Sequence, residues 1–398
     1  MAEDPWLTIV GLGEDGADGL PPASHRALDR AEIVMGPPRH LALLPDIGAR
    51  RIVWPVPFAD GLPVLLGLRG RRVAVLASGD PFWFGAGRAI AAMLEPGEWR
   101  ALPAPSAFSL AAARLGWGLE TVRCLGLHAA PATRLRPHLA AGRRLIVLVR
   151  DGEAVAEICA WLAEVGFGPS VVHAMEALGG PRERVTTARA DALRGDFAHP
   201  VCLGVEVAGD GPPLPRTGGI DDSFFDSDGQ MTKRPVRALT LSALAPRPGE
   251  RLWDIGGGSG SVAIEWLLAD PAMHAVSIEA RADRARRIRA NADRLGVDRL
   301  CVVEGRAPAA LEGLKPPDAV FIGGGLTRAL LDDLAGRLAA GTRLVANAVT
   351  LEGEALLADA QARLGGDLLR IDLAQAAPLG SRRGWRASYP IVQWRGVV

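Results

Sequence analysis

The sequence predicts an α/β protein of two domains. The chain has 398 residues, more than one typical domain contains. Apolar runs rich in β-branched residues alternate with Ala-, Leu- and Arg-rich runs of helical character. This alternation stops once, at residues 208–229, where Pro, Gly and acidic residues dominate. We therefore expect a first domain over residues 1–208, a linker over 209–227 and a second domain over 228–398.

Five apolar segments predict strands in the first domain. Each is a nearly continuous apolar run, which is typical of strands in a parallel sheet covered by helices on both faces. The segments are WLTIVGLG (6–13), AEIVMG (31–36), RRVAVLASG (71–79), LIVLVR (145–150) and PVCLGVEV (200–207).

Seven apolar segments predict strands in the second domain. Helical segments separate the first five, so we expect these to be parallel. APLGSRRGW joins the last two without helical character, so we expect a closing antiparallel pair. The segments are RLWDIG (251–256), HAVSIEA (274–280), LCVVEG (300–305), DAVFIGG (318–324), TRLVANAV (342–349), LLRIDLA (368–374) and YPIVQW (389–394).

The composition argues against several classes of protein. Acidic and basic residues balance at 45 each, whereas a nucleic-acid-binding protein usually has a basic excess. No apolar run is long enough to span a bilayer, and the acidic N-terminus lacks the pattern of a signal peptide. The cysteines form no metal-ligand motif, so we predict no metal site and a reducing, cytoplasmic environment. They are Cys124, Cys159, Cys202 and Cys301.

A glycine-rich turn follows the first strand of the second domain. In LWDIGGGSGSVAIEW (252–266) the glycines allow a tight turn, and the helix that follows offers unpaired N–H groups to a ligand. Asp254 would repel a pyrophosphate but suits an ammonium group. Glu279 ends the second strand, where a carboxylate can accept ribose hydroxyls. An acid before Gly256, Gly258 and Gly260, with a second acid on the next strand, resembles the class I S-adenosylmethionine (SAM) methyltransferases, which have a seven-stranded Rossmann-like fold.

Four stretches narrow this resemblance to one family. GQMTKRPVRA, LWDIGGGSGSVAIEW, FIGGG and RLVANAVTLE occur in this order within residues 219–398. The set is similar to the second half of the fused, decarboxylating precorrin methyltransferases of cobalamin biosynthesis. The resemblance adds Thr232, Ala307 and Gly323 to the SAM-binding residues Asp254, Gly256, Gly258, Gly260 and Glu279.

Three stretches of the first domain resemble another class, the tetrapyrrole methylases. They are IVGLGEDG (9–16), LASGDPFWFGAG (76–87) and APSAFSLAAARLGW (104–117). The resemblance implies a two-lobed class III methyltransferase fold that holds SAM in a cleft. The matching positions are Gly79, Asp80, Trp83, Ser106 and Ala107. The sequence departs from the family's pattern at two places. Glu14-Asp15-Gly16 replaces the usual proline after the second glycine. AAPATRL follows LGLH without the subgroup's glycine and arginine, so Arg134 is considered as a substitute contact.

The combined resemblance implies a bifunctional enzyme that uses SAM at two sites, one per domain. It would methylate precorrin-6B at ring carbons 5 and 15 and remove carbon dioxide from the carbon-12 acetate, giving precorrin-8. The family assigns carbon 15 and the decarboxylation to the second domain, and implies a homo-oligomer. Our candidates for catalytic or substrate-binding roles are Asp80, which could instead fix its loop, and Lys233, Asn347 and Arg383.

Three alternatives stay open at this stage. One half of the chain could be a non-catalytic module, or the precorrin substrate could carry cobalt. An RNA methyltransferase is a third reading, and the balanced charge counts against it.

Overall fold

The computed structural model describes residues 5–398 and divides into two compact units. The first unit runs to Ala132 and includes His138–Pro212, and the second comprises Thr133–Pro137 and Pro213–Val398. Residues 1–4 of the predicted first domain lie outside the described residues. Most of the predicted linker belongs to the second unit, where Ile220 and Phe225 are buried.

Two five-stranded sheets form the first unit. The first sheet is entirely parallel, in the order β3-β2-β4-β1-β5. The second, in the order β6-β7-β10-β8-β9, is mixed, because only β6 and β7 are parallel. The elements are β1 (Leu7–Leu12), α1 (Pro22–Arg30), β2 (Ile33–Gly36), α2 (Pro38–Ala42), β3 (Arg50–Val53), α3 (Gly61–Leu66), β4 (Val73–Ser78), α4 (Gly87–Ala91), β5 (Trp99–Leu102), α5 (Ala107–Leu115), β6 (Arg123–Gly126), β7 (Arg144–Leu148), α6 (Glu153–Glu164), β8 (Val171–Glu176), β9 (Arg184–Arg189) and β10 (Val201–Glu206).

A seven-stranded sheet forms the second unit, in the order β13-β12-β11-β14-β15-β19-β16. The strands from β11 to β15 are parallel, and β19 is antiparallel to both β15 and β16, as the sequence predicts. The elements are α7 (Arg234–Leu244), β11 (Arg251–Ile255), α8 (Ser261–Ala269), β12 (His274–Glu279), α9 (Ala282–Arg294), β13 (Cys301–Glu304), β14 (Ala319–Ile322), α10 (Arg328–Arg337), β15 (Arg343–Ala348), α11 (Leu351–Leu364), β16 (Asp367–Ile371), β17 (Ala374–Leu379), β18 (Arg382–Ala387) and β19 (Ile391–Val397).

Helices cover both faces of the second unit's sheet, which is why its strands are continuous apolar runs. Neighbouring residues of β11 point to opposite sides: Leu252 lies in one buried cluster and Trp253 in the other. The same division separates Ile9 from Val10 in β1 of the first unit. Because parallel strands run in the same direction, the loops that follow them lie at one edge of the sheet in both units.

Candidate functional site

Three loops of the first unit form part of the wall of a cavity of about 370 Å³. They follow β1, follow β4 and precede α5. The structure brings together at this cavity all five residues that the sequence assigns to SAM binding, namely Gly79, Asp80, Trp83, Ser106 and Ala107. Most of the wall is apolar, as is typical of a small-molecule site.

Glycines allow these loops to approach one another. Gly79 has a φ of +51°, and a Cβ atom there would lie 2.8 Å from the carbonyl oxygen of Pro105. Its own carbonyl accepts a hydrogen bond from Ala104 at 3.1 Å. A side chain at position 79 would therefore push apart the two loops that form the cavity.

Polar and aromatic side chains fix the same loops. The Ser106 hydroxyl caps α5 by accepting the Ser109 N–H at 3.1 Å. Asp80 Oδ1 accepts the Phe82 N–H at 2.8 Å, which is the geometry of a loop-fixing carboxylate; its role as a proton acceptor stays a prediction. The Trp83 ring packs on Phe108, with centroids 4.7 Å apart.

Three polar side chains in the wall of this cavity have no role predicted from the motifs. Glu14, Arg39 and His40 all line it. Glu14 forms an ion pair with Arg39, and Arg39 Nη2 lies 2.8 Å from His40 Nε2. Burial, with a smaller contribution from the charge of Arg39, lowers the pKa of His40 to about 4. His40 is therefore neutral near pH 7.

The second unit's glycine loop, residues 256–260, connects β11 to α8. Gly256, Gly258 and Gly260 all have positive φ values, between +61° and +78°. A Cβ atom on Gly256 would lie 2.6 Å from the backbone nitrogen of Gly324, so this loop packs directly on the loop that follows β14. Gly325 has open space around its Cβ position, so it leaves room at the edge of the sheet.

The two predicted acids support the glycine loop from beneath. Asp254 is 1% exposed and accepts a hydrogen bond from the Ser277 hydroxyl at 3.2 Å. Burial raises the pKa of Asp254 to about 7, against the opposing hydrogen bonds from Ser277 and the Ala263 N–H. Glu279 accepts the backbone N–H groups of Gly258 at 2.9 Å and Arg281 at 3.0 Å. A carboxylate has about four acceptor positions, so Glu279 retains capacity for ribose hydroxyls.

A strap formed by residues 219–232 crosses the glycine loop. The Gln230 carbonyl oxygen would lie 3.4 Å from a Cβ atom on Gly258. Arg237 is fully buried and donates to the Thr232 carbonyl at 2.5 Å, and it also forms an ion pair with Glu265. Arg237 therefore anchors the strap at Thr232, whose predicted role in SAM binding stays a prediction.

The remaining predicted residues differ in exposure and partners. Lys233 and Arg383 are exposed, the latter on β18. The Asn347 amide donates to Thr240 Oγ1 at 2.9 Å and accepts from Gln393 at 2.9 Å, so it belongs to a polar network inside the unit. Their catalytic roles stay predictions, as do the contacts of Ala307 and Gly323, which are partly buried and exposed, respectively.

Arg134, considered as a substitute substrate contact, belongs to the second unit and has an acidic partner within it. Its Nε and Nη2 atoms donate to the two carboxylate oxygens of Asp298 at 2.7 and 2.9 Å. Arg134 does not line the cavity described above. Within residues 5–398, no group of three or more His, Cys, Asp or Glu side chains could hold a metal ion, and no helix is long and apolar enough to cross a membrane.

Comparison with known proteins assigns a different family to each half. Residues 6–194 match the tetrapyrrole (corrin/porphyrin) methylases, and residues 223–398 match a precorrin methyltransferase domain. A precorrin-6Y C(5,15)-methyltransferase (decarboxylating) from Sinorhizobium sp. is 49% identical over 396 residues, which cover 98% of this chain and 96% of the relative. This chain belongs to the precorrin-6Y C(5,15)-methyltransferase (decarboxylating) family. It is therefore a methyltransferase.

Two further relatives each correspond to part of the chain, and both come from Salmonella typhimurium. A cobalt-precorrin-6B C(15)-methyltransferase (decarboxylating) is 33% identical over 166 residues, 40% of this chain and 85% of the relative. A cobalt-precorrin-7 C(5)-methyltransferase is 28% identical over 192 residues, 48% of this chain and 94% of the relative.

Proposed function

We propose that this chain methylates precorrin-6B at carbons 5 and 15 and removes carbon dioxide from its carbon-12 acetate, giving precorrin-8. One observation carries the proposal: each unit has its own glycine-lined site, and the two units match different methyltransferase families. We assign the carbon-5 methylation to the first unit. The carbon-15 methylation and the decarboxylation belong to the second.

The names and lengths of the Salmonella relatives support this division. The C(15)-methyltransferase, which also carries out a decarboxylation by name, aligns over 166 residues, and the second unit's family match covers residues 223–398. The C(5)-methyltransferase aligns over 192 residues, and the first unit's match covers residues 6–194. Two separate proteins thus have the sizes and names expected for the two units.

SAM supplies an activated methyl group on a sulfonium at each site. Because the attacked ring carbons are enamine-like, the residues of the first unit need mainly to orient the reactants and exclude water. The apolar cavity wall around Trp83 suits exclusion of water, and Gly79 and Ala107 let a ligand approach the backbone. Asp80 lines the cavity, and we assign to it the acceptance of the proton that leaves the methylated carbon.

In the second unit, the glycine loop and Glu279 would hold the ribose and amino-acid parts of SAM. Asp254 supports this loop from below, since 1% exposure prevents broad contact with a ligand. Lys233 and Arg383 provide exposed cations for substrate carboxylates, and Asn347 lies on the fifth strand of the sheet. Loss of carbon dioxide from the acetate is favoured if its ionised form is poorly solvated.

The division of labour is tested by one alanine substitution in each site. Gly79→Ala would introduce a Cβ atom 2.8 Å from Pro105 O, and Gly256→Ala one 2.6 Å from Gly324 N. The product mass is measured after incubation with SAM and precorrin-6B. We expect Gly79→Ala to lose one methyl transfer only, and Gly256→Ala to lose the other together with the decarboxylation.

Matched controls separate crowding from backbone strain. Gly70 and Gly313 have φ values of +85° and +73°, and nothing lies within 4 Å of a Cβ atom at either position. Gly70→Ala and Gly313→Ala should therefore keep all three reactions. If Gly79→Ala forms the wild-type product, a non-catalytic first unit becomes the better explanation. If wild-type protein turns over only the cobalt-containing precorrin, the proposal that the substrate is metal-free is wrong.

We further propose that the protein is a cytoplasmic homo-oligomer. The four cysteines are free, which suits a reducing compartment. The β17–β18 hairpin and the turn after it expose large apolar side chains, among them Trp385 at 79% and Tyr389 at 85%. Light scattering of the wild type and of Trp385→Ser measures this directly. A monomeric wild type would contradict the oligomer.

A further inference from the structure

A group of three charged side chains includes two that line the first unit's cavity. We call it the Glu14 cluster: Glu14 follows β1, Arg39 lies on α2, and Arg182 lies in the turn between β8 and β9. The Glu14 side chain is 8% exposed. Arg39 Nη1 forms an ion pair with Glu14 Oε1, and Arg182 Nη2 lies 3.2 Å from Oε2. Each oxygen of one carboxylate therefore has its own guanidinium partner.

This cluster has more positive than negative charge. Within residues 5–398, Glu14 is the single acidic partner of Arg39, with a carboxylate oxygen within 4.0 Å of a guanidinium nitrogen. Among the same residues it is also the single acidic partner of Arg182 by the same distance. Two guanidinium groups on one carboxylate leave a net charge of +1. Burial, together with the charge of Arg182, lowers the pKa of Arg39, which means that the protonated form is destabilised where it lies. A second carboxylate nearby would oppose that destabilisation.

The cavity is where that carboxylate could bind. Arg39 and Glu14 line it, whereas the Arg182 side chain is 60% exposed and outside its wall. Arg39 Nη2 also donates to Ser78 Oγ at 3.2 Å, and Ser78 directly precedes Gly79. The guanidinium is thus held in one orientation by Glu14, His40 and Ser78, beside the site assigned to SAM and substrate. A guanidinium fixed before binding loses little entropy when it pairs with a carboxylate.

We propose that Arg39, held by Glu14 and assisted by Arg182, binds a carboxylate of a ligand in the first unit's cavity. This inference rests on the proposed function, because both ligands of that site carry carboxylates. One is the tetrapyrrole with its acidic side chains, and the other is the amino-acid end of SAM. Charge-assisted hydrogen bonding to arginine is the chemistry shared by both.

The test compares Arg39→Gln with Arg182→Gln and with a matched control in the full-length protein. The control is Arg184→Gln, because Arg184 pairs with Glu176, whose side chain is 4% exposed, and neither residue lines the cavity. It removes an arginine from an equally buried carboxylate. Dissociation constants are measured by absorbance titration of precorrin-6B and by calorimetry with SAM, for which the second unit's site is an internal reference.

We expect Arg39→Gln to weaken binding of one ligand at least tenfold and the other less than twofold. Arg182→Gln should weaken the same ligand about threefold, Arg39→Lys should lie between wild type and Arg39→Gln, and Arg184→Gln should bind both ligands like wild type. A loss confined to precorrin-6B identifies an acidic ring side chain as the carboxylate. A loss confined to SAM identifies its amino-acid carboxylate.

Two results would overturn the inference. One is binding of both ligands within twofold of wild type in Arg39→Gln, and the other is an equal loss in Arg39→Gln and Arg184→Gln. Should Arg39→Gln fail to fold, the exposed Arg182→Gln decides: no change in either dissociation constant rejects the site. These measurements need no turnover, so a wild type that binds both ligands without methylating carbon 5 would refute the proposed function alone.

Discussion

The buried carboxyl of Asp254 predicts an unusual pH dependence of stability in the second unit. Its pKa rises from 3.8 to about 7 in the folded protein, mainly because of burial. Each pKa unit corresponds to about 1.36 kcal/mol, so ionising Asp254 in the folded state destabilises it by up to about 4 kcal/mol. Since the unfolded chain releases this proton at lower pH, stability falls as the pH rises from about 4 to 7 and levels off above that.

Asp254→Asn removes this dependence because an amide does not ionise. We expect the variant to be more stable than wild type at pH 8, by up to about 4 kcal/mol, and close to wild type at pH 4 to 5. The protein is equilibrated in urea at each pH and then pulse-labelled by hydrogen exchange at one fixed pH. Mass spectrometry of peptides from β11 and α8 then reports the second unit separately.

Asp367→Asn is the control, since Asp367 is exposed on β16. This variant loses an exposed carboxylate, so it shows the effect of removing a carboxylate that is not buried. A difference between Asp254→Asn and wild type that stays constant from pH 5 to pH 8 would refute the reasoning. SAM affinity adds a second readout: a carboxylate that only supports the glycine loop predicts little loss in the variant, whereas direct pairing with the ammonium group predicts a large one.

Three further substitutions test the packing of the two sites by urea unfolding. Ser106→Ala removes the cap of α5 and should lower the first unit's free energy of unfolding by about 1 kcal/mol; no change would contradict the cap. Arg237→Met leaves Glu265 buried without its ion-pair partner and should lower the second unit's free energy of unfolding by about 3–5 kcal/mol. The double variant Arg237→Met/Glu265→Leu should recover part of this loss, because it also removes the buried carboxylate. Asn347→Ala breaks a buried polar network and should cost about 1–3 kcal/mol, so an unchanged midpoint would argue against that network.

Patterns local in the chain determined most of the fold. All seven strands predicted for the second unit form, and the last two pair antiparallel. Continuous apolar runs indicate strands buried on both faces, whichever residues they pair with. The pattern predicted parallel strands in the first unit, which is wrong for β10, because it pairs antiparallel with both β7 and β8 and a strand buried on both faces has the same apolar run in either direction. The pattern also did not reveal the β17–β18 hairpin, whose sequence has little apolar periodicity.

The motifs also predicted which loops come together in each unit, since glycine spacing reflects local backbone conformation. Gly79, Ser106 and Ala107 meet at one cavity, as the resemblance implied. What each side chain does there depended on partners distant in sequence. Asp254 proved to be buried beside Ser277, and Glu279 bonded to the backbone of the glycine loop.

Tertiary structure alone decided which charges are paired. Glu14 appeared in the sequence only as a departure from a motif, yet it lies between Arg39 and Arg182, which is 168 residues away. Arg237 was given no role by the motifs, but it is fully buried against Glu265. Burial and ion pairing arise when distant segments meet, so the sequence determines the elements and the loops, whereas the packing of those elements determines the charge and solvation of each site.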